Sequence, residues 1–221
     1  MYTVDHLRFK HPFTAMVAGP SGAGKTVLVR NLLQHRRETL CGLDNPTILW
    51  CYGQWQDLYT QPVKGTPIEY IEGLPGKEAL EKQRPSILVI DDLMTELAGS
   101  KEMTNLFTKA SHHMKMSIIF VVQNLFYDAK EMRTININTT YFVLLKNPRD
   151  KTQIEHLGKQ MFPAHKTFMR DAFLDATKQP FGYLVVDCKS DTPEELRVRT
   201  RILPCEHVRG IFRPFVYTPR R

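Results

Sequence analysis

The stretch Gly19–Thr26 reads GPSGAGKT and follows directly on a short, mostly apolar run, Phe13–Ala18 (FTAMVA). It meets the pattern G-x-x-x-x-G-K-[ST] in full. The run before it suits a buried strand, and Val27–Leu33 (VLVRNLL) reads as the start of a helix. Strand, glycine-rich loop and helix in that order make a phosphate cradle. Gly19, Gly22 and Gly24 let the backbone turn tightly and approach a ligand. Backbone N–H groups then point at phosphate oxygens, helped by the positive end of the helix. The candidate nucleotide-binding set is therefore Gly19, Pro20, Ser21, Gly22, Ala23, Gly24, Lys25 and Thr26. Lys25 is expected to reach the β- and γ-phosphates, and the Thr26 hydroxyl to ligate Mg²⁺.

The rest of the chain fits one α/β unit around this loop. Its 221 residues are 42% hydrophobic, enough for one substantial core. Pro46 introduces a strand at Thr47–Tyr52, and a short strand, Ile68–Ile71, interrupts a Pro- and Gly-rich connection. Further strands are expected at Ser86–Ile90, Ser117–Val122 and Tyr141–Leu145. Helices are expected around Lys77–Lys82, from a Ser100 cap to about Met116, from an Asp150/Gln153 capping box to Gln160, and over Ala164–Ala176. Alternation of this kind predicts a mostly parallel central sheet with helices on both faces. Gly182–Asp187 and Leu196–Ile202 are expected to add antiparallel strands at its edge. The division is a core over residues 1–180 and a C-terminal hairpin with a basic tail over residues 181–221, packed together as one domain.

The third core strand ends in two carboxylates, Asp91 and Asp92, at the sheet edge where ligands bind in such folds. Asp91 is the candidate for the Mg²⁺ shell, and Asp92 for polarising an attacking water. The next strand, SIIFVV, ends at Gln123. Its amide can accept from water and donate to a γ-phosphate oxygen, as a sensor does. In P-loop motors and helicases the strand bearing this sensor lies between the first strand and the Asp-bearing one; simple nucleotide kinases lack that insertion. A motor-type sheet is thus expected.

The net charge is +7. From Leu196 to Arg221 there are seven Arg (197, 199, 201, 209, 213, 220 and 221) against one acid, Glu206, a local balance of +6. Such a tail suits a polyanionic partner. In LRVRTRI the apolar positions alternate with Arg197, Arg199 and Arg201, which predicts three Arg on one strand face. That stripe is a candidate for nucleic-acid phosphates, or for docking another protein. Cys41, Cys51, Cys188 and Cys205 are scattered and read as reduced thiols of a protein that is not secreted. No 18-residue apolar run or signal peptide is seen, so no membrane span is expected.

The stretches HPFTAMVAGPSGAGKT, ILVIDDL, IIFVVQNLF and MRTININTTYFVLLKNPRD together resemble the viral genome-packaging ATPases of the FtsK–HerA superfamily, in the branch of the poxvirus and Polinton-like virus proteins. The resemblance covers about His11 to Asp150. It implies a P-loop NTPase of the ASCE, RecA-like type, with ATP and Mg²⁺ as cofactors. The partners it implies are double-stranded DNA, further copies of the chain in a ring, and capsid or portal proteins at a viral assembly site in the host nucleus or cytoplasm. The family's sensor falls on Gln123. Its usual Asp-Glu pair is here Asp91-Asp92, and the Arg that often follows the sensor in cellular relatives is here Asn124. In such rings a neighbour supplies an arginine to the transferring phosphoryl group; Arg133 and Arg149 are the candidates. Three other readings keep the same loop: a DNA helicase or conjugative-type translocase, a nucleotide kinase, and a nucleic-acid-binding structural protein with an ATP-dependent switch.

Overall fold

The computed structural model describes residues 4–93, 101–125, 130–149, 152–206 and 214–219. Ser100, Asp150, Arg209, Arg213, Arg220 and Arg221, which figure in the expectations above, lie outside them. Eleven strands are present among the described residues: β1 (Phe9–Lys10), β2 (Thr14–Ala18), β3 (Leu40–Cys41), β4 (Ile48–Tyr52), β5 (Ile68–Glu72), β6 (Ile87–Asp91), β7 (Ser117–Val122), β8 (Tyr141–Leu145), β9 (Tyr183–Asp187), β10 (Val198–Thr200) and β11 (Phe215–Tyr217). Nine of them form one sheet in the order β11-β10-β9-β8-β2-β7-β6-β4-β5, and β1 pairs with β3 separately.

From β8 to β5 every neighbouring pair is parallel. The pairs β8–β9, β9–β10 and β10–β11 are antiparallel. Strand β7 lies between β2 and β6, pairing Ala18 with Val122 on one side and Asp91 with Val121 on the other. This is the expected strand insertion. The chain therefore has a mostly parallel α/β sheet of the P-loop, ASCE type with an antiparallel edge addition.

Strands buried on both faces need apolar residues everywhere but at their ends, and β2, β6, β7, β8 and β9 are buried throughout. Alternate residues feed two cores. On one face Val17, Val89, Val121 and Val143 pack against Val29, Leu32 and Leu33 of the Lys25–Gln34 helix. On the other, Met16, Ile90, Phe120 and Leu144 meet Met103, Phe107, Met132, Ile135, Leu157 and Phe173. Each buried Val, Leu, Ile or Phe contributes about 1.5–3 kcal/mol, so these two layers hold the C-terminal ends of the strands in fixed register.

Helices run at Lys77–Gln83 and Thr152–Met161, close to expectation, and at Phe168–Ala176, starting four residues later than the expected Ala164. The helix from Lys101 to His113 contains a π-helical segment at Leu106–Ala110. Lys130–Ile137 is a further helix that the sequence reading omits. No helix of the described residues is long and apolar enough to cross a membrane.

Candidate nucleotide site

The loop leaves β2 at Gly19, whose N–H donates to the Val122 carbonyl at 3.2 Å, tying it to the end of β7. Gly22 and Gly24 hold φ of 76° and 91°, the left-handed region open to glycine at little cost. The helix then starts at Lys25. Lys25 Nζ donates to the Gly19 and Pro20 carbonyls at 2.7 and 3.0 Å, so its ammonium is folded over the loop. Burial lowers its pKa, opposed by the charges of Asp91 and Asp92.

Asp91 is only 3% exposed. One of its oxygens, Oδ2, accepts from the Thr26 hydroxyl at 3.0 Å and from the Tyr59 hydroxyl at 3.0 Å. Burial raises its pKa; the hydrogen bonds from Thr26 and Tyr59 oppose that rise. Thr26 and Asp91 thus sit together as two oxygen donors, the ligand type Mg²⁺ takes. The next residue turns out. Asp92 is exposed, with φ of 57°, a conformation in which Asp and Asn are enriched. Gly53 makes this turn possible: a Cβ there would lie 2.3 Å from the Asp92 carbonyl oxygen. Its N–H donates to the Asp91 carbonyl at 3.1 Å.

These groups face one open cleft of about 380 Å³, lined by Ser21, Gly22, Gly24, Lys25, Thr26 and Val27, by Asp91, Asp92 and Gln123, and by Gln56, Leu58 and Phe181. Gln123 is exposed at the end of β7. The turn beyond it is anchored, because Leu125 N–H donates to Gln153 Oε1 at 2.8 Å and Asn136 donates to the Leu125 carbonyl at 2.9 Å. Gln153, on the Thr152–Met161 helix, therefore supports the turn beyond Gln123. Sequence reasoning misses Tyr59, Gln56 and Phe181, since none belongs to a spaced motif. Arg133 and Arg149 are both exposed, and neither is among the described residues lining the cleft. Arg133 lies on the Lys130–Ile137 helix, and Arg149 follows β8 in a turn where its N–H donates to Asn147 Oδ1 at 3.1 Å.

The arginine stripe needs correction. Leu196–Ile202 is not one strand: Glu194–Leu196 is a 3₁₀ turn, and β10 covers only Val198–Thr200. Nor is it the edge, because β11 lies outside it. Arg199 is fully buried, with side-chain exposures of 0% for itself and 1% for its ion-pair partner Asp187 at 3.1 Å. It also donates to the Leu196 carbonyl at 3.0 Å and lies 5.9 Å from the Tyr141 ring centroid. Arg199 has no surface to offer a phosphate. Arg197 bonds Glu194 at 2.7 Å and the carbonyls of Asp187 and Lys189 at 3.1 and 2.7 Å. Arg201 is exposed, at φ of 53°. The three therefore serve different surroundings, and no common solvated face exists.

A stability prediction follows. Arg199→Gln strands the Asp187 carboxylate in the core. Breaking one side of a buried pair costs about 3–5 kcal/mol, or roughly 6–20 °C in Tm for a chain of this size. Thermal denaturation followed by circular dichroism measures it; an unchanged Tm would show that the pair is not a structural element.

No family model matches the chain, and no curated protein matches it by sequence. Among solved structures, the chain is similar to the genome packaging NTPase B204 of Sulfolobus turreted icosahedral virus 2 in complex with sulfate, at 9% identity and TM-score 0.51 over 95% of this chain and 98% of that one. The same protein in complex with ATP-gammaS aligns at 10% identity and TM-score 0.51, over 94% and 98%. B204, the DNA-packaging ATPase of Sulfolobus turreted icosahedral virus, aligns at 9% and 0.51, over 96% and 100%. At such identities what is shared is the fold, and it is shared over nearly the full length of both chains.

Proposed function

We propose that the chain is a Mg²⁺-dependent ATPase that works as a motor on double-stranded DNA, packing a viral genome. The observation that carries the reading is the junction at Asp91: the loop's Thr26 and the acid at the end of β6 are in contact, while β7 brings Gln123 to the same cleft. The full-length likeness to B204 supports packaging over the other motor readings, and the inserted β7 disfavours a simple nucleotide kinase.

In this reading the loop N–H groups and Lys25 hold the β- and γ-phosphates. Thr26 and Asp91, directly or through water, would hold Mg²⁺, which supplies charge neutralisation on those phosphates. Asp92 orients a water for in-line attack and takes its proton; Gln123 positions the same water against the γ-phosphate. Tyr59 keeps the Asp91 carboxylate aimed at Thr26. Arg133 or Arg149 reaches the site of the next subunit in a ring. The place of action is a viral assembly site in the host nucleus or cytoplasm, at a capsid or portal vertex.

The test is turnover with and without duplex DNA, alongside the oligomeric state. Unrelated duplexes are expected to stimulate hydrolysis, and activity to rise with assembly. A variant lacking Asp92 and a variant lacking the trans arginine, each inactive alone, are expected to recover part of the activity when mixed. Full activity in a demonstrated monomer, unchanged by DNA, would remove the motor reading.

A further inference from the structure

Nothing in the phosphate loop recognises a base, so something else must hold the nucleoside. Strand order gives its side. Asp91, Asp92 and Gln123 stand on the β6–β7 side of the loop strand β2, and this is the γ-phosphate and water side. The nucleoside must then leave toward β8 and β9. Phe181 stands there, two residues before β9, with 68% of its surface exposed. Its ring lies against the loop: a Cβ placed on Gly24 would be 3.1 Å from Phe181 Cδ1.

Three features separate Phe181 from an ordinary exposed hydrophobic, which by itself needs no explanation. It adopts φ of 60°, a genuine outlier for a bulky residue, and such outliers cluster at ligand sites. Its turn is pinned, with Gly182 N–H donating to the Gln179 carbonyl at 3.2 Å and Lys146 N–H to the Gly182 carbonyl at 3.2 Å. And it lines two cavities at once: the candidate phosphate cleft, and a neighbouring space of about 290 Å³ walled by Pro180, Tyr183, Phe215 and Tyr217 together with the charged Asp175, Arg201 and Glu206. The ring is common to the cleft and to this recess of aromatic and charged groups.

We infer that Phe181 is the platform on which the base of the bound nucleoside triphosphate stacks. Every base has a π-face, so such a platform binds the base without reading its edge. The inference rests on the reading that the cleft takes a nucleoside triphosphate. Its substrate consequence is that discrimination between ATP and GTP is not made at this ring.

The experiment compares the binding of Mg·ATP and of Mg·tripolyphosphate, which has the phosphates and no base, by titration calorimetry on the full chain. Base–aromatic stacking is lost on truncation with about a tenfold to hundredfold fall in affinity. Phe181→Leu, which keeps the apolar contact with Gly24, and Phe181→Ala are expected to show that fall for ATP and to bind tripolyphosphate within about twofold of wild type. Phe181→Trp is expected to restore ATP affinity, and its added emission, over the wild-type background of Trp50 and Trp55, to be quenched by ATP and not by tripolyphosphate. Wild-type ATP affinity in Phe181→Leu and Phe181→Ala overturns the platform alone. Equal loss of both ligands, without rescue by Trp, also overturns it and makes Phe181 a support for the loop. A wild-type chain that binds neither ligand overturns the nucleotide reading with it.

Discussion

Lys25→Ala is expected to reduce ATP turnover to background while leaving the chain folded. Lys25 sits at the first position of its helix, at the mouth of the cleft, with its ammonium over the loop carbonyls of Gly19 and Pro20. It is the positive charge within the loop closest to where the β- and γ-phosphates are expected. A single preorganised donor at a developing charge is worth about 10²–10³ in rate, and a full cation aimed at a phosphoryl group at least that. The structural cost is small. The side chain is only partly buried, so solvent screening keeps its two hydrogen bonds to loop carbonyls below the contribution of about 1.5–3 kcal/mol that a charged donor makes in a buried site. Phosphate release at saturating Mg·ATP measures the loss, with circular dichroism and Tm as folding controls. Turnover near the wild-type level would remove the nucleotide-site assignment, and with it the proposed function.

Asp92→Asn comes second and separates binding from chemistry. Asp92 is exposed, faces the cleft and holds φ of 57°. Asn adopts that conformation as readily as Asp, so the variant changes the basic oxygen and little else. Nucleotide affinity is expected to stay within about threefold of wild type. The single-turnover hydrolysis rate is expected to fall by about 10²–10⁴, the usual contribution of a positioned acid–base group. Asp91→Asn is the contrast. Asp91 is buried and accepts from both Thr26 and Tyr59, so its loss disturbs binding, loop position and packing together. If Asp92→Asn loses binding as well as hydrolysis, Asp92 belongs to the cation shell; if turnover is unchanged, it has no part in the mechanism.

Much of this arrangement is legible along the chain because the information is local. Five core strands announce themselves as short apolar runs, since a strand covered on both faces admits polar residues only at its ends. The same rule explains why Asp91 and Asp92 stand out: carboxylates at the end of ILVI can only be at the sheet edge. The loop fixes which strand comes first. The helix at Lys130–Ile137 escapes for the opposite reason. Its INI pattern carries β-branched residues that favour strands, and only the burial of Met132 and Ile135 against the sheet makes it helical.

The C-terminal segment shows the limit. Alternation in LRVRTRI gives two sides of a strand but says nothing of what covers either. Without β11, the strand reads as an edge with one wet face. With β11 beside it, and Asp187 and Tyr141 over it, Arg199 is internal. The candidate site divides in the same way. Sequence alone picked out the Gly19–Thr26 loop, the paired carboxylates and the Gln123 amide, because each is a short pattern tied to one strand end. Only the tertiary structure decided that Tyr59 holds Asp91, that Gly53 makes room for the turn at Asp92, and that Phe181 lies against Gly24 from 157 residues away. Those contacts are made by strand order and by the burial of two cores, and no local pattern encodes which distant residue a folded sheet will bring to its edge.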